Sequence, residues 1–281
     1  MRNLPNFAKA LHYEREHLIR RALSEACHWS RFSHAGAVQS SDQYWLECFS
    51  KSPVATADVR RFLATYKVVR AKWLDQGVAD EISALRRKGW QPVEGVLSLS
   101  ENLARHIERE ENGVSASTGG GGELDAALDI SDLKDDERGQ RTSAASKIAM
   151  FTMHEHPVFI WDSLALQAMK LRQWKFDEAS GVSIRQSRFS QSFMKGGRHD
   201  YKTYHAASSR EYASALADDL FRDAVATFVS YVSATGGPMY SIVNKDFYGR
   251  RLFDKLMVCE GERIGEWWAE TKPPGRRKAT V

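Results

Sequence analysis

The stretch RTSAASKIAMFTMHEHPVFIWDSLALQAMKLR, residues 141–172, decides how this chain is read. Ser143, Ala144, Ala145 and Ser146 are small enough to let another surface come close, while Ile148, Ala149, Phe151 and Thr152 can turn inward on one helix. Pro157 ends that helix, because its ring removes an amide donor and clashes with the preceding turn. The apolar run Val158, Phe159, Ile160, Trp161 then reads as extended, and Asp162 with Ser163 supplies an N-cap for a second helix over residues 164–171. One carboxylate, Asp162, thus stands at a helix N-terminus beside an aromatic side chain.

This order of small-residue helix, extended link and helix-opening aspartate resembles the second half of the helix-hairpin-helix DNA glycosylases, especially bacterial relatives with the 8-oxoguanine DNA glycosylase fold. The resemblance covers about thirty residues well and the other helices loosely, so it stands as a motif-level hypothesis. It implies a mainly α fold of two packed helical subdomains, with a helix-hairpin-helix-like element before a catalytic aspartate that falls on Asp162. In that superfamily the hairpin gives its amides to a DNA phosphate. Arg141, Thr142, Ser143, Ser146 and Lys147 are accordingly expected to contact DNA. Two features depart from the pattern: Glu137 to Thr142 replaces the Gly-Val/Pro-Gly hairpin, and the lysine nucleophile of bifunctional members falls on Ser143. A monofunctional enzyme is therefore expected. Lys147 reads as a phosphate contact or a structural cation, with an amine nucleophile as the other role open to it.

Breaking the bond between a base and deoxyribose builds positive charge on the sugar, which a nearby carboxylate stabilises while orienting an attacking water. An aspartate at a helix N-terminus is kept ionised by unpaired amides and the helix dipole. The base must first leave the stack, which calls for aromatic side chains near cations. Trp161, Phe193 and Tyr201 are the candidates for stacking or wedging. From local sequence alone, an aspartate before serine at a helix start, such as Asp162, is most often only a helix cap.

The composition is that of an ordinary globular protein, 42% hydrophobic and 27% charged, with no run suited to crossing a bilayer and no apolar leader at the N-terminus. A cytoplasmic monomer is expected. Cys27, Cys48 and Cys259 lack metal-ligand spacing and are expected to be reduced. His154 and His156 are two apart, not the four that aligns imidazoles on a helix, so neither a metal nor another cofactor is expected. The net charge is +4, but residues 123–137 carry seven acids against one lysine, a local −6 that leaves +10 on the rest. That excess favours a polyanionic partner, here expected to be double-stranded DNA.

In chain order, helices are expected over 5–23, 41–49, 56–74, 80–88 and from Ser98 to about 109, the last started by a Ser-x-x-Glu capping box. Trp90, Pro92 and Gly95 read as a turn before it. Arg60, Arg61, Lys67, Arg70 and Lys72 line one face of the third helix, either tracking phosphates or simply solvated. Residues 112–137 read as a flexible Gly-rich and acidic insertion between helical regions at 1–111 and 138–271, with a basic tail at 272–281. The segment 185–205 interleaves Lys195, Arg198 and Lys202 with Phe193 and Tyr201, a texture that suits phosphate contact and base stacking or a core-anchored surface loop. A long helix capped at Ser208 and a basic amphipathic helix over 246–259 close the fold.

Two functions follow as expectations. One is a DNA glycosylase that excises an oxidised base, or a bulky modified pyrimidine of invading phage DNA, and leaves an abasic site. The other is a non-catalytic helical module that binds DNA in repair or defence. A protein–protein adaptor built on Trp45, Trp73, Trp267 and Trp268 is a third class.

Overall fold

The structure, a computed structural model, describes residues 4–31, 41–66, 73–106, 141–181, 193–195, 198–235 and 243–270. The fold is mainly α. Its helices are α1 (Leu4–Tyr13), α2 (Arg15–Arg31), α3 (Asp42–Ser50), α4 (Thr56–Thr65), α5 (Asp75–Arg87), α6 (Pro92–Leu103), α7 (Thr142–Thr152), α8 (Ser163–Ala179), α9 (Tyr201–Leu216), α10 (Asp219–Thr235) and α11 (Lys245–Glu270). A two-residue antiparallel pair, β1 (Met194–Lys195) and β2 (Arg198–His199), precedes α9.

The packing centre is α11, which lies against α8 and α2, while α2 also packs on α10. A second group forms around α7, which rests on α3, α5 and α6. The helices therefore do not group along the sequence-order boundary expected near residue 112. The first two helices join the last four, and one continuous core runs from Phe7 to Trp267. The insertion at 112–137, the hairpin at 137–140 and the tail at 272–281 lie outside the described residues, as do Lys67, Arg70 and Lys72.

The link between α7 and α8 is held by side chains rather than by a strand partner. Tyr201 and Tyr204 on α9 donate their hydroxyls to Phe159 O and Ile160 O at 2.8 and 2.7 Å. Ser146 Oγ on α7 accepts the Trp161 amide at 2.9 Å, and His205 Nε2 lies 2.5 Å from Pro157 O. Three consecutive buried residues, Phe159, Ile160 and Trp161, thus each find a backbone partner without a sheet. The arrangement fixes where the next residue, Asp162, emerges.

Several local expectations are corrected. Residues 5–23 break at Glu14 into α1 and α2, and α4 stops at Thr65 instead of reaching Leu74. Ser98 is no cap: Pro92 starts α6 at its first turn, which puts the Ser-x-x-Glu match and Gly95 inside the helix. Ser208 likewise sits within α9, whose N-cap is Asp200, accepting from Thr203 N at 3.1 Å. The long helix expected after it is divided into α9 and α10. Phe176 near the end of α8 is 43% exposed and lies under the Arg210 guanidinium.

The basic amphipathic helix expected at 246–259 is instead enclosed through its middle. Arg250 and Arg251 are 0% and 1% exposed. Such charges require partners. Arg250 reaches Asp246 at 2.8 Å and the His154 carbonyl at 2.8 Å. Arg251 clasps Asp42 of α3 with Nε and Nη2 at 2.6 and 3.0 Å and gives Nη1 to Asp254 at 2.5 Å. Phe7 stacks on Trp267 at 5.5 Å, so this tryptophan belongs to the core and not to an exposed anchor. Among the described residues no helix is long and apolar enough to cross a membrane.

Candidate active site at the N-terminus of α8

Asp162 has extended backbone, φ −127° and ψ 152°, and caps α8 by accepting the Leu164 amide on Oδ1 at 3.0 Å. Its other oxygen, Oδ2, faces Lys147 Nζ at 3.1 Å. Lys147 comes from α7, so the pair spans the two helices that the extended link joins. Its side chain is 11% exposed and that of Asp162 is 27% exposed. Of the roles that the sequence left open for Lys147, the ion pair with Asp162 accords with the structural cation.

This pair lines a cavity of about 400 Å³ bounded by α2, α7, the start of α8 and α11. The size lies in the usual range for small-molecule pockets. Trp29 of α2 and Tyr66 after α4 supply aromatic wall, and Arg251, Asp254 and Lys255 bring the charged centre of α11 to it. The approach of α11 depends on Gly261: a Cβ there would meet the Leu164 carbonyl oxygen at 2.1 Å. A side chain at this position would push the helix away from the turn that Asp162 caps.

The electrostatics of the cavity are those of charges held in a dry place. Burial lowers the Lys255 pKa to about 8, and the Arg251 charge adds to the shift, while Asp254, Asp42 and Glu25 oppose it. Burial raises the Asp254 carboxyl, which Arg251 and Lys255 pull back down and Asp162 pushes up. Lys255 Nζ rests 4.1 Å from the centroid of Trp29, a cation–π contact. Arg251 Nη2 also donates to the Tyr66 hydroxyl at 3.2 Å, and that hydroxyl donates to Asp42 at 3.0 Å. The site can therefore present one carboxylate at a helix N-terminus, one partnered amine and one amine seated on an aromatic face.

The other sequence candidates are distributed differently. Ser146 is fully buried, with its hydroxyl donated to Ser143 O and accepting from Trp161 N, and Thr142 is 2% exposed, so neither is presented to a phosphate. Ser143 is half-buried; Arg141 is half-buried too, with its amide donated to Ser100 Oγ at 2.7 Å. Lys202 is exposed on α9. Lys195 and Arg198 are placed only by their backbone, in the short antiparallel pair. Trp161, Phe193 and Tyr201 are 3%, 5% and 0% exposed and pack around Tyr204. They are core rings, which corrects their reading as stacking or wedge residues. The aromatic side chains that do line the cavity are Trp29 and Tyr66.

His154 and His156 border a separate cavity of about 220 Å³ next to Trp90. Burial lowers the His154 pKa. Among the described residues no three His, Cys, Asp or Glu side chains gather as a metal site.

Sequence reasoning missed Asp42, Arg251, Asp254, Lys255 and Trp29. A signal was present in α11: Phe247, Tyr248, Leu252, Phe253, Leu256 and Met257 surround the helix, leaving no solvent face for the charges between them. Comparison with protein-family descriptions, curated proteins and solved structures gives no match.

Proposed function

We propose that this chain is a monofunctional DNA glycosylase that turns a modified or damaged base into the α8–α11 cavity and hydrolyses its N-glycosidic bond, leaving an abasic site. The observation that carries the reading is Asp162, a helix-capping carboxylate that borders a cavity of about 400 Å³. In that position it stabilises positive charge developing on deoxyribose and orients the attacking water. Lys147 fixes the orientation of the carboxylate from 3.1 Å. Trp29 and Tyr66 offer aromatic surface to the departed base. The excess of positive charge outside residues 123–137 favours DNA as the partner. The substrate class is an oxidised base or a modified base of phage DNA, in repair or defence. The test is abasic-site formation on unmodified, oxidised, alkylated and phage-modified DNA, with alkali or an abasic endonuclease revealing each site. Release from at least one substrate is expected.

A second reading draws on the same residue. Both Asp162 oxygens already have partners, Leu164 N and Lys147 Nζ, which suits a purely structural cap in a non-catalytic DNA-binding module. DNA binding without base release from any of the substrates favours that module.

A further inference from the structure

Among the described cations that line the cavity, Lys255 is the one that no carboxylate neutralises by direct contact. Lys147 has Asp162, Arg251 has Asp42 and Asp254, and Arg21 has Glu262. Among the described residues Lys255 has no carboxylate within ion-pair distance, although it is only 9% exposed and follows Asp254 directly in sequence. Its ammonium sits instead on the face of Trp29, 4.1 Å from the ring centroid. A ring face attracts the charge but accepts at most one of three N–H donors. The remaining donors belong to a group that lines the same cavity as Asp162. A buried cation held this way is expensive for the fold, which makes a ligand the natural use for it.

We propose that Lys255 is a substrate-contacting residue whose ammonium, seated on Trp29, donates hydrogen bonds to the acceptor edge of a nucleobase turned into the cavity; this rests on the DNA glycosylase reading. The ligand chemistry is a ring nitrogen, a carbonyl oxygen or a hydroxylated substituent on the base. Trp29 and Lys255 then act together, the ring seating the amine and the amine reading the base. Neither is placed for the bond-breaking step, which belongs to Asp162.

The test uses the full chain and two duplexes of one sequence. One carries a single mismatched base, which leaves the stack most easily. The other carries a tetrahydrofuran abasic analogue at the same place, so it lacks the base but keeps the backbone. Lys255→Met, which keeps the aliphatic stem over Trp29, is expected to weaken binding of the mismatched duplex about tenfold or more, as befits loss of a hydrogen bond to a charged group. Its affinity for the tetrahydrofuran duplex is expected to equal that of the native chain. Lys255→Gln, which keeps an N–H donor, is expected to recover part of the loss. Equal weakening on both duplexes, or none on either, overturns the inference while leaving the DNA reading intact. An adduct trapped on Lys255 by borohydride also overturns it, because the amine then serves as a nucleophile and not as a donor. Failure of the native chain to bind either duplex removes the DNA reading itself, and the inference with it.

Discussion

Lys147 Nζ lies 3.1 Å from Asp162 Oδ2, and the two residues, fifteen apart in sequence, are brought together by the buried link over Val158–Trp161. The pair ties the middle of α7 to the start of α8. Removing the Asp162 charge should have little effect on the fold, because asparagine also caps helices and the carboxylate is partly solvated. Asp162→Asn is therefore expected to lower stability by about 1 kcal/mol or less, measured by urea unfolding.

The link itself should be more sensitive. Tyr201 and Tyr204 donate to successive carbonyls, Phe159 O and Ile160 O, from fully buried rings. Replacing either with phenylalanine strands a buried acceptor at a cost of about 1–3 kcal/mol. Tyr204→Phe should also reduce base release more than it reduces DNA affinity, since it loosens the backbone that aims Asp162. Denaturant midpoints and single-turnover rates measured together would check both effects.

Gly261 marks where α11 meets the turn capped by Asp162. A methyl group here would lie 2.1 Å from the Leu164 carbonyl oxygen, and neither backbone can yield without separating the helices. Gly261→Ala is expected to destabilise by about 2 kcal/mol or more despite alanine's better helix propensity. Gly265, four residues on in the same helix, has open space around it, so Gly265→Ala should be neutral or stabilising. The opposite ranking in thermal unfolding would contradict the described packing.

The clasp between Arg251 and Asp42 joins α11 to α3 in a place nearly closed to water, with side chains 1% and 4% exposed. Desolvation opposes both charges, so the intact pair is a weak source of stability. Breaking it is another matter. Asp42→Ala leaves the guanidinium with Asp254 and the Tyr66 hydroxyl alone. A loss of about 3–5 kcal/mol is expected in equilibrium unfolding.

Lys255 yields a pH signature. Burial depresses its pKa from the usual 10.5 to about 8 in the folded chain. Between those values the unfolded state holds more protons, so this residue's contribution to stability rises with pH across the window. Below pH 8 the full penalty applies, about 3 kcal/mol from the size of the shift. Lys255→Met should thus be more stable than the native chain at pH 7, by less than that figure because the contact with Trp29 is lost, and the difference should shrink toward pH 10. A variant less stable at pH 7 would show that Lys255 supports the fold more than it strains it.

Much of the fold was legible because residues 141–172 obey local rules. The small-residue helix, the apolar link and the Asp162 cap all appear where spacing and side-chain chemistry put them. The boundaries at Ser98 and Ser208 failed for one reason: a Ser-x-x-Glu pattern caps a helix only where amides are unpaired, and both serines sit on continuing helices. The grouping of α2 with α10 and α11 depends on contacts between residues more than two hundred positions apart, beyond any periodicity. The site was half legible. Asp162 could be found from its cap, but Lys255 and Trp29 meet only through tertiary packing, and Trp161, Phe193 and Tyr201 were as good candidates for a wall in sequence as they are for the core in space.

The most direct measurement compares native chain and Asp162→Asn on the modified DNA from which the native chain releases base, reading abasic-site formation and DNA affinity separately. The account expects base release to fall about a hundredfold or more while affinity stays within a few-fold of native, because the carboxylate acts on charge that develops only in the transition state. Undiminished release by Asp162→Asn would contradict it, and would leave Asp162 as the cap of α8 alone.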